Sequence, residues 1–305
     1  PNVLNFTKSY LKLGLKDRAI TRDLEWGISI PLEGYENKTI YVWFEAVIGY
    51  FSSTKEWAKN TGIEETWEDF WLNTCRSYYF MGKDNIPFHT IIWPAMLMGS
   101  GNLNLPYDIP ANEFLNLQGS QLSTSRNWAV WVLDYLKRYD PDPLRYVLTA
   151  TMPERGDSDF SWDEYVRRNN DELLATYGNL VHRVLTLTYK HYDGKVPDVG
   201  RLDRDDQTLL DQAKQCLEEV SNNLQNCNFR KALSAAMTMA QETNRYLEVK
   251  SPWKTVKENR AIAATTLWVS LNVINCLKVA LYPYLPFTSK KIHKLLGFEG
   301  NLEDQ

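Results

Sequence analysis

The chain has 305 residues, 44% of them apolar and including 11 tryptophans and 17 tyrosines, which is enough for two cores and excludes a disordered polypeptide. Its net charge is −4, from 34 basic and 38 acidic residues, so bulk charge signals no nucleic-acid partner and any RNA binding must come from a local face. Four cysteines, Cys75, Cys216, Cys227 and Cys276, lack Cys-x-x-Cys spacing, which argues against a zinc knuckle or a disulfide framework and for a reducing, cytoplasmic setting.

No signal peptide is visible, and no apolar run reaches the roughly 18 residues of a membrane span. The sequence opens Pro-Asn-Val without an initiator methionine and reads at once like the middle of a domain. A missing front portion is therefore expected.

In chain order, residues 6–13 read as a short helix stopped by Gly14. Residues 28–31 and 39–44 (TIYVWF) read as strands, 46–59 and 66–73 as helices, and 77–81 as an aromatic strand ending in Gly82. A helix over 86–98 and a strand over 113–117 follow, and this alternation predicts part of a parallel, doubly wound sheet. From there the periodicity is helical. Helices are predicted over 128–139, over 143–150 after Asp142, from the capping box Ser161–Glu164 to about Tyr189, and over 207–224, 229–248 and 261–282. Ser251-Pro252-Trp253 reads as a cap and first turn, and a shorter helix spans 288–296. The fold class is thus α/β plus all-α, with a partial Rossmann-like sheet over 1–155 and an antiparallel helix bundle over 156–305.

Three stretches carry chemistry. Trp43, Val47 and Tyr50 lead from a strand into a helix, where open sheets bind ligands, and their side chains suit a thioether or aliphatic group. Gly82 permits close backbone approach, Asp84 can accept from a ribose, Lys83 can offset phosphate charge, and Asn85 and His89 continue the same turn. The third stretch, LQGSQLSTSRNWAVW over 117–131, has the glycines, hydroxyls and arginine of a phosphate cradle.

Taken together, YVWFEAVIGY, GKDNIPFH with IIWPAML, GSQLSTSRN, DPLRYVLTATMPERGDSDFSW and SPWK resemble the methionyl-tRNA synthetase family from about Ala19 to about Leu296. The resemblance implies that Trp43, Val47, Tyr50, Asn85 and His89 line a methionine pocket, and that Gly82 and Asp84, with Arg22 nearby, serve ATP. It makes 121–125 the family's KMSKS loop, with Gln121, Ser123, Thr124, Ser125, Arg126 and Lys83 as catalytic candidates. It also places the anticodon reader at Asn179, Arg183 and Trp253. Asn179 and Arg183 share a helix face, and Trp253 could stack an unpaired base.

Two features depart from the family. The HIGH-type histidine pair is absent, as are the zinc cysteines, so zinc would belong only to a front half and this portion alone is expected to be inactive. In the loop, Gln121 and Thr124 stand where the family has lysines, which makes Arg126 or Lys83 the candidate replacement cation. The implied reaction uses ATP and Mg2+ to activate methionine and transfers it to tRNA(Met) with a CAU anticodon, without membrane involvement. The rival readings are a non-catalytic tRNA-binding module and a sister class I synthetase for leucine, isoleucine or valine.

Overall fold

A computed structural model describes residues 2–304, and these divide into two compact units: the chain through Phe114 with Pro153–Asp157, and Leu115–Met152 with the chain from Ser158 onward. Residues 115–152, assigned by sequence to the core over 1–155, thus cluster with the helices.

The first unit opens with helix α1 (Asn2–Lys12), which Gly14 ends at φ +83°. Strands β1 (Thr21–Arg22) and β2 (Thr39–Ile40) pair antiparallel, with Thr21 opposite Ile40. The strand expected over 28–31 contracts to a bridge between Ser29 and Thr39. The one expected over 39–44 stops early, because the chain enters α2 (Val42–Glu45) directly after the extended Tyr41. A 3-10 turn (Ala46–Ile48) joins α2 to α3 (Gly49–Thr61), which ends on left-handed Gly62, and α4 (Thr66–Trp71) follows.

Strand β3 (Met81–Gly82) pairs in parallel with β4 (Ala111–Asn112), and between them lie a 3-10 turn, a π-helical stretch (Phe88–Ile92) and α5 (Trp93–Ser100). The strand predicted over 113–117 breaks at Glu113, whose amide bonds to Pro153 instead. Its core is aromatic: Val47, Trp71, Tyr79, Trp93 and Leu97 are buried together. Trp71 and Trp93 meet edge to face at 5.8 Å, the geometry that ring quadrupoles favour.

The second unit begins with a small sheet of β5 (Leu115–Leu117), β6 (Ser120–Gln121) and β7 (Ser158–Phe160), in which β6 is antiparallel and β7 parallel to the central β5. The helix predicted over 128–139 shrinks to α6 (Val132–Leu136), because left-handed Asn127 and extended Trp131 delay it. Helix α7 (Pro141–Ala150) starts on Asp140 rather than Asp142. Asp142 is buried instead, and its carboxylate accepts from the backbone amides of Phe287 and Thr288, at 3.4 and 2.6 Å.

Ser161 caps α8 (Trp162–Arg168) by accepting from Glu164 N. The Glu164 carboxylate turns to Arg167 and Arg168, so the box is half formed. A π-helical stretch (Asn169–Gly178) carries α8 into α9 (Asn179–Tyr192). Then come α10 (Arg204–Gln225), α11 (Phe229–Lys250), α12 (Pro252–Glu258), α13 (Arg260–Ala280) and α14 (Pro286–Leu295).

Three residues join α10 to α11, which forces the second helix back along the first. Small residues on α11, Ala232, Ala236 and Ala240, are fully buried and allow close approach. By length and composition α13 could cross a bilayer, contrary to the expectation from run length. Yet 67% of its most apolar window is buried inside the bundle, as in a core helix. The architecture is therefore the expected mixture of small parallel pairings and a helix bundle, with the described strands in three short sheets.

Candidate functional site

In the first unit Tyr50 and His89 meet through a 2.9 Å hydrogen bond between Oη and Nε2, and His89 Nδ1 lies 2.9 Å from the carbonyl oxygen of Asn85. A carbonyl only accepts, so the proton is assigned to Nδ1, and Nε2 accepts from the Tyr50 hydroxyl. His89 is 6% exposed, and burial pulls its pKa below the ordinary value despite the opposing backbone bond. Burial likewise raises the Tyr50 hydroxyl. The imidazole is therefore neutral near pH 7.

Around this pair stand Tyr79, edge-on to Tyr50 at 5.0 Å, and Trp93, whose indole donates to Tyr79 Oη at 3.2 Å. Trp43 is about half exposed and stacks on Phe88 at 5.7 Å, while Val47 is buried in the same core. Trp43, Val47, Tyr50 and His89 thus share one largely aromatic wall, which Asn85 reaches through its backbone carbonyl and whose Phe88 ring the Arg18 guanidinium approaches to 5.6 Å. Sequence reading missed Tyr79, Phe88 and Trp93, although the run of rings from Tyr78 to Phe80 was a signal. A cleft of about 580 Å³ backs onto this wall, lined by Trp57, Phe70, Trp71 and Tyr79 among others.

Gly82 is exposed at φ −82°, and a Cβ there would meet no atom within 4 Å. Neither backbone strain nor internal packing requires glycine at this position, so its openness suits approach by a ligand. Asp84 is exposed beside it. Arg22 donates to the carbonyls of Ala19 and Thr21 and lies 3.7 Å over the Tyr41 ring, just before α2.

Lys83 is occupied differently from the sequence expectation. Its ammonium lies 2.8 Å from Asp157 and 2.9 Å from Glu113, and 4.1 Å over Phe114. Asp157 and then Glu113 raise its pKa. Two carboxylates already neutralise it, so it is no bare counter-charge for phosphate.

In the second unit the signature loop is a double hairpin. Gln118 and Gly119, both at positive φ, turn β5 into β6, as two-residue hairpin turns require. Ser123 and Trp128 then exchange backbone bonds at 2.9 Å around Thr124-Ser125-Arg126-Asn127. Thr124, Ser125 and Arg126 are exposed, the Ser123 and Ser125 hydroxyls lie 3.2 Å apart, and Arg126 reaches back to the Gln121 carbonyl at 3.4 Å. The loop thus presents hydroxyls and one guanidinium. Behind it a cleft of about 900 Å³ is lined by Trp128, Trp131, Tyr135, Tyr139, Trp162 and Tyr165 among others.

The anticodon candidates converge at the α9 and α12 ends of the same unit. The Arg183 guanidinium lies 4.6 Å from the Trp253 ring centre and donates to Glu248 at 2.8 Å. Asn179 is exposed one turn before Arg183. Trp253 is half-buried and packs partly against the bundle core, so it acts as a staple as well as a candidate platform. Glu248, 65 residues from Arg183, escaped sequence reading because nothing in its local pattern signals that partner.

Comparison with known proteins identifies relatives of the chain. The family described as tRNA synthetases class I (M) matches residues 1–185, and the anticodon binding domain of methionyl tRNA ligase matches 196–303. A methionine–tRNA ligase of Thermomicrobium roseum is 54% identical over 99% of the chain and 52% of its own length. One from Dehalococcoides mccartyi is 57% identical over 100% and 55%. The Mycobacterium tuberculosis methionyl-tRNA synthetase in complex with methionyl-adenylate aligns with a TM-score of 0.86 at 28% identity, over 98% of this chain and 58% of that one. The chain spans about half the length of the curated relatives it matches.

Proposed function

The chain belongs to the class I tRNA synthetases of the methionyl family, and from that premise we propose that it works within a methionine–tRNA ligase, supplying part of the methionine and ATP site and the anticodon reader. The observation that carries the reading is the neutral Tyr50–His89 pair inside an aromatic wall. A thioether has no charge to pair and little capacity to accept hydrogen bonds, so it gains from polarisable ring faces and would lose against a cation. Trp43, Val47, Tyr50, Asn85 and His89 would hold the methionine side chain. Gly82, Asp84 and Arg22 would serve the adenosine and its phosphates, with Mg2+ arriving on the nucleotide.

Catalysis on this reading is positioning and charge stabilisation. The methionine carboxylate attacks the α-phosphorus of ATP and pyrophosphate leaves; a ribose hydroxyl at the 3′ end of tRNA then attacks the methionyl carbonyl of the adenylate and AMP leaves. Ser123, Thr124 and Ser125 would donate to phosphate oxygens, with Gln121 beside them and Arg126 as the positive charge in place of Lys83. In domain terms the proposal assigns 1–155 to the catalytic core and 156–305 to the anticodon reader, in a cytoplasmic enzyme.

In the bundle, Trp253 would stack a base of the CAU anticodon while Asn179 and Arg183 contact the same loop. Base stacking contributes about 1–3 kcal/mol per base, and the Arg183 contact to Trp253 stiffens the platform. Binding of a fluorescent CAU stem-loop and a scrambled-anticodon stem-loop to this chain tests that assignment. The expected result is tighter binding of CAU that weakens with salt and with Trp253→Ala; equal affinities overturn it.

One observation favours a second reading, a tRNA-binding module without catalysis. The loop carries Gln121 and Thr124 where lysines are usual, and Lys83 is taken up by Glu113 and Asp157. Methionine-dependent pyrophosphate exchange separates the two readings.

A further inference from the structure

Trp253 follows a turn whose shape is not the one its sequence prefers. Ser251, between α11 and α12, sits at φ +44°, ψ +55°, a left-handed conformation that costs about 1 kcal/mol or more in a residue that is neither glycine nor asparagine. Such a conformation persists only where the surroundings fix it. Here the last turn of α11 is held on two faces. On one, Glu248 binds Arg183, which lies over Trp253.

On the other face, Lys250 enters the N-terminus of α10. Its side chain is only 11% exposed, and the ammonium lies 2.9 Å from Asp206 Oδ1 and in contact with Asp203. Asp206 is itself buried and accepts from Tyr246 Oη at 2.7 Å and from the Asp203 amide at 3.0 Å. A buried carboxylate needs a cation, so Lys250 has little freedom to leave. The helix ends suit their charges as well: acids sit at the start of α10 and the lysine at the close of α11. Thr255 then ties the new helix back by donating to the Lys250 carbonyl at 2.8 Å.

We propose that Lys250 and Asp206 are positioning residues for anticodon reading, a clamp that fixes the Ser251 turn and so sets the plane of Trp253. This rests on the reading of Trp253 as a base-stacking platform. Neither residue touches the RNA; they act through the tryptophan. The affinity lost when the clamp is broken must therefore depend on Trp253 being present.

A double-mutant cycle tests this on the whole 305-residue chain, with CAU and scrambled stem-loops as probes. Lys250→Met is expected to weaken CAU binding about fivefold, and by less than about twofold when Trp253 is already alanine. Lys250→Arg, which keeps the charge, should restore most of the loss. Equal losses in both backgrounds would mean general destabilisation or a direct phosphate contact, and would overturn the clamp, as would no loss at all. Should Lys250→Met fail to fold by circular dichroism, Asp203→Asn, which keeps the oxygen that caps the first turn of α10 and removes the charge of the exposed partner, must show the same dependence on Trp253. A wild-type chain that binds both stem-loops equally brings down the anticodon reading and the clamp with it. A clamp that fails alone leaves CAU preference intact and the cycle additive.

Discussion

Replacing Tyr50 with phenylalanine isolates one bond in the aromatic wall of the first unit. The ring keeps its edge contact to Tyr79 at 5.0 Å and its packing on His89 at 5.6 Å, so little apolar area changes. What goes is the hydroxyl donor to Nε2 of an imidazole that is 6% exposed. A buried acceptor left without a partner costs about 1–3 kcal/mol. Because Tyr50 is 42% exposed, water can reach part of the vacated space, and the lower end, about 1–1.5 kcal/mol, is expected.

The assay is hydrogen exchange of the amides in 86–97, followed by mass spectrometry, which reads local opening free energy without requiring the whole chain to unfold in one step. The pH dependence gives a second readout. Burial depresses the folded pKa of His89, so the folded unit resists a proton that the unfolded chain takes up below about pH 6.5. Stability is thus complete above that pH and declines as pH falls through it. Without the tyrosine donor, Nε2 accepts a proton more readily and the decline becomes shallower. A change below about 0.3 kcal/mol together with an unaltered pH slope would refute the assignment of the Tyr50–His89 bond.

Three further outcomes are expected. Gly82→Ala should leave stability within about 0.5 kcal/mol, since its Cβ meets nothing, yet raise the KM for ATP in a full-length enzyme; an unchanged KM removes Gly82 from the ATP site. Arg167 and Arg168 hold the Glu164 carboxyl down to about 2, so its contribution, present above the ordinary carboxylate range, should be lost as pH falls from about 4.5 toward 2. Glu164→Gln should flatten that part of an acid-unfolding curve by about 1 kcal/mol or less, the pair being partly solvated. Burial pushes the Cys216 thiol up to about 11, so iodoacetamide at pH 8 should spare it in the native chain and label it after unfolding, as mass mapping would show.

The long helices were legible because α10, α11 and α13 keep period 3.6 over 21 or 22 residues, and their ends fell within a few positions of those expected. The strands were not, because pairings of two or three residues are set by partners far along the chain: Met81 pairs with Ala111, and Leu115 with Ser158. Helical onset after the loop was misplaced for a local reason, left-handed Asn127 ahead of extended Trp131, which apolar periodicity does not report.

In the candidate site the same distinction holds. Tyr50, Asn85 and His89 stand in short motifs, and the structure joins Tyr50 to His89 by side chains and Asn85 to His89 by its backbone carbonyl. The fate of Lys83 depended on Glu113 and Asp157, which lie 30 and 74 positions away, and no local pattern announced them. Arg183 over Trp253 was legible only as two separate motif positions; their contact belongs to the tertiary fold.

The proposed role in methionine activation is decided by pyrophosphate exchange in a polypeptide of the relatives' full length carrying this chain. With methionine, leucine, isoleucine and valine offered separately alongside ATP and Mg2+, exchange at ordinary synthetase rates is expected with methionine, with a marked drop for the others and a loss of the methionine-driven rate in His89→Ala. Exchange driven equally well by an aliphatic amino acid, or no exchange with methionine, would contradict it.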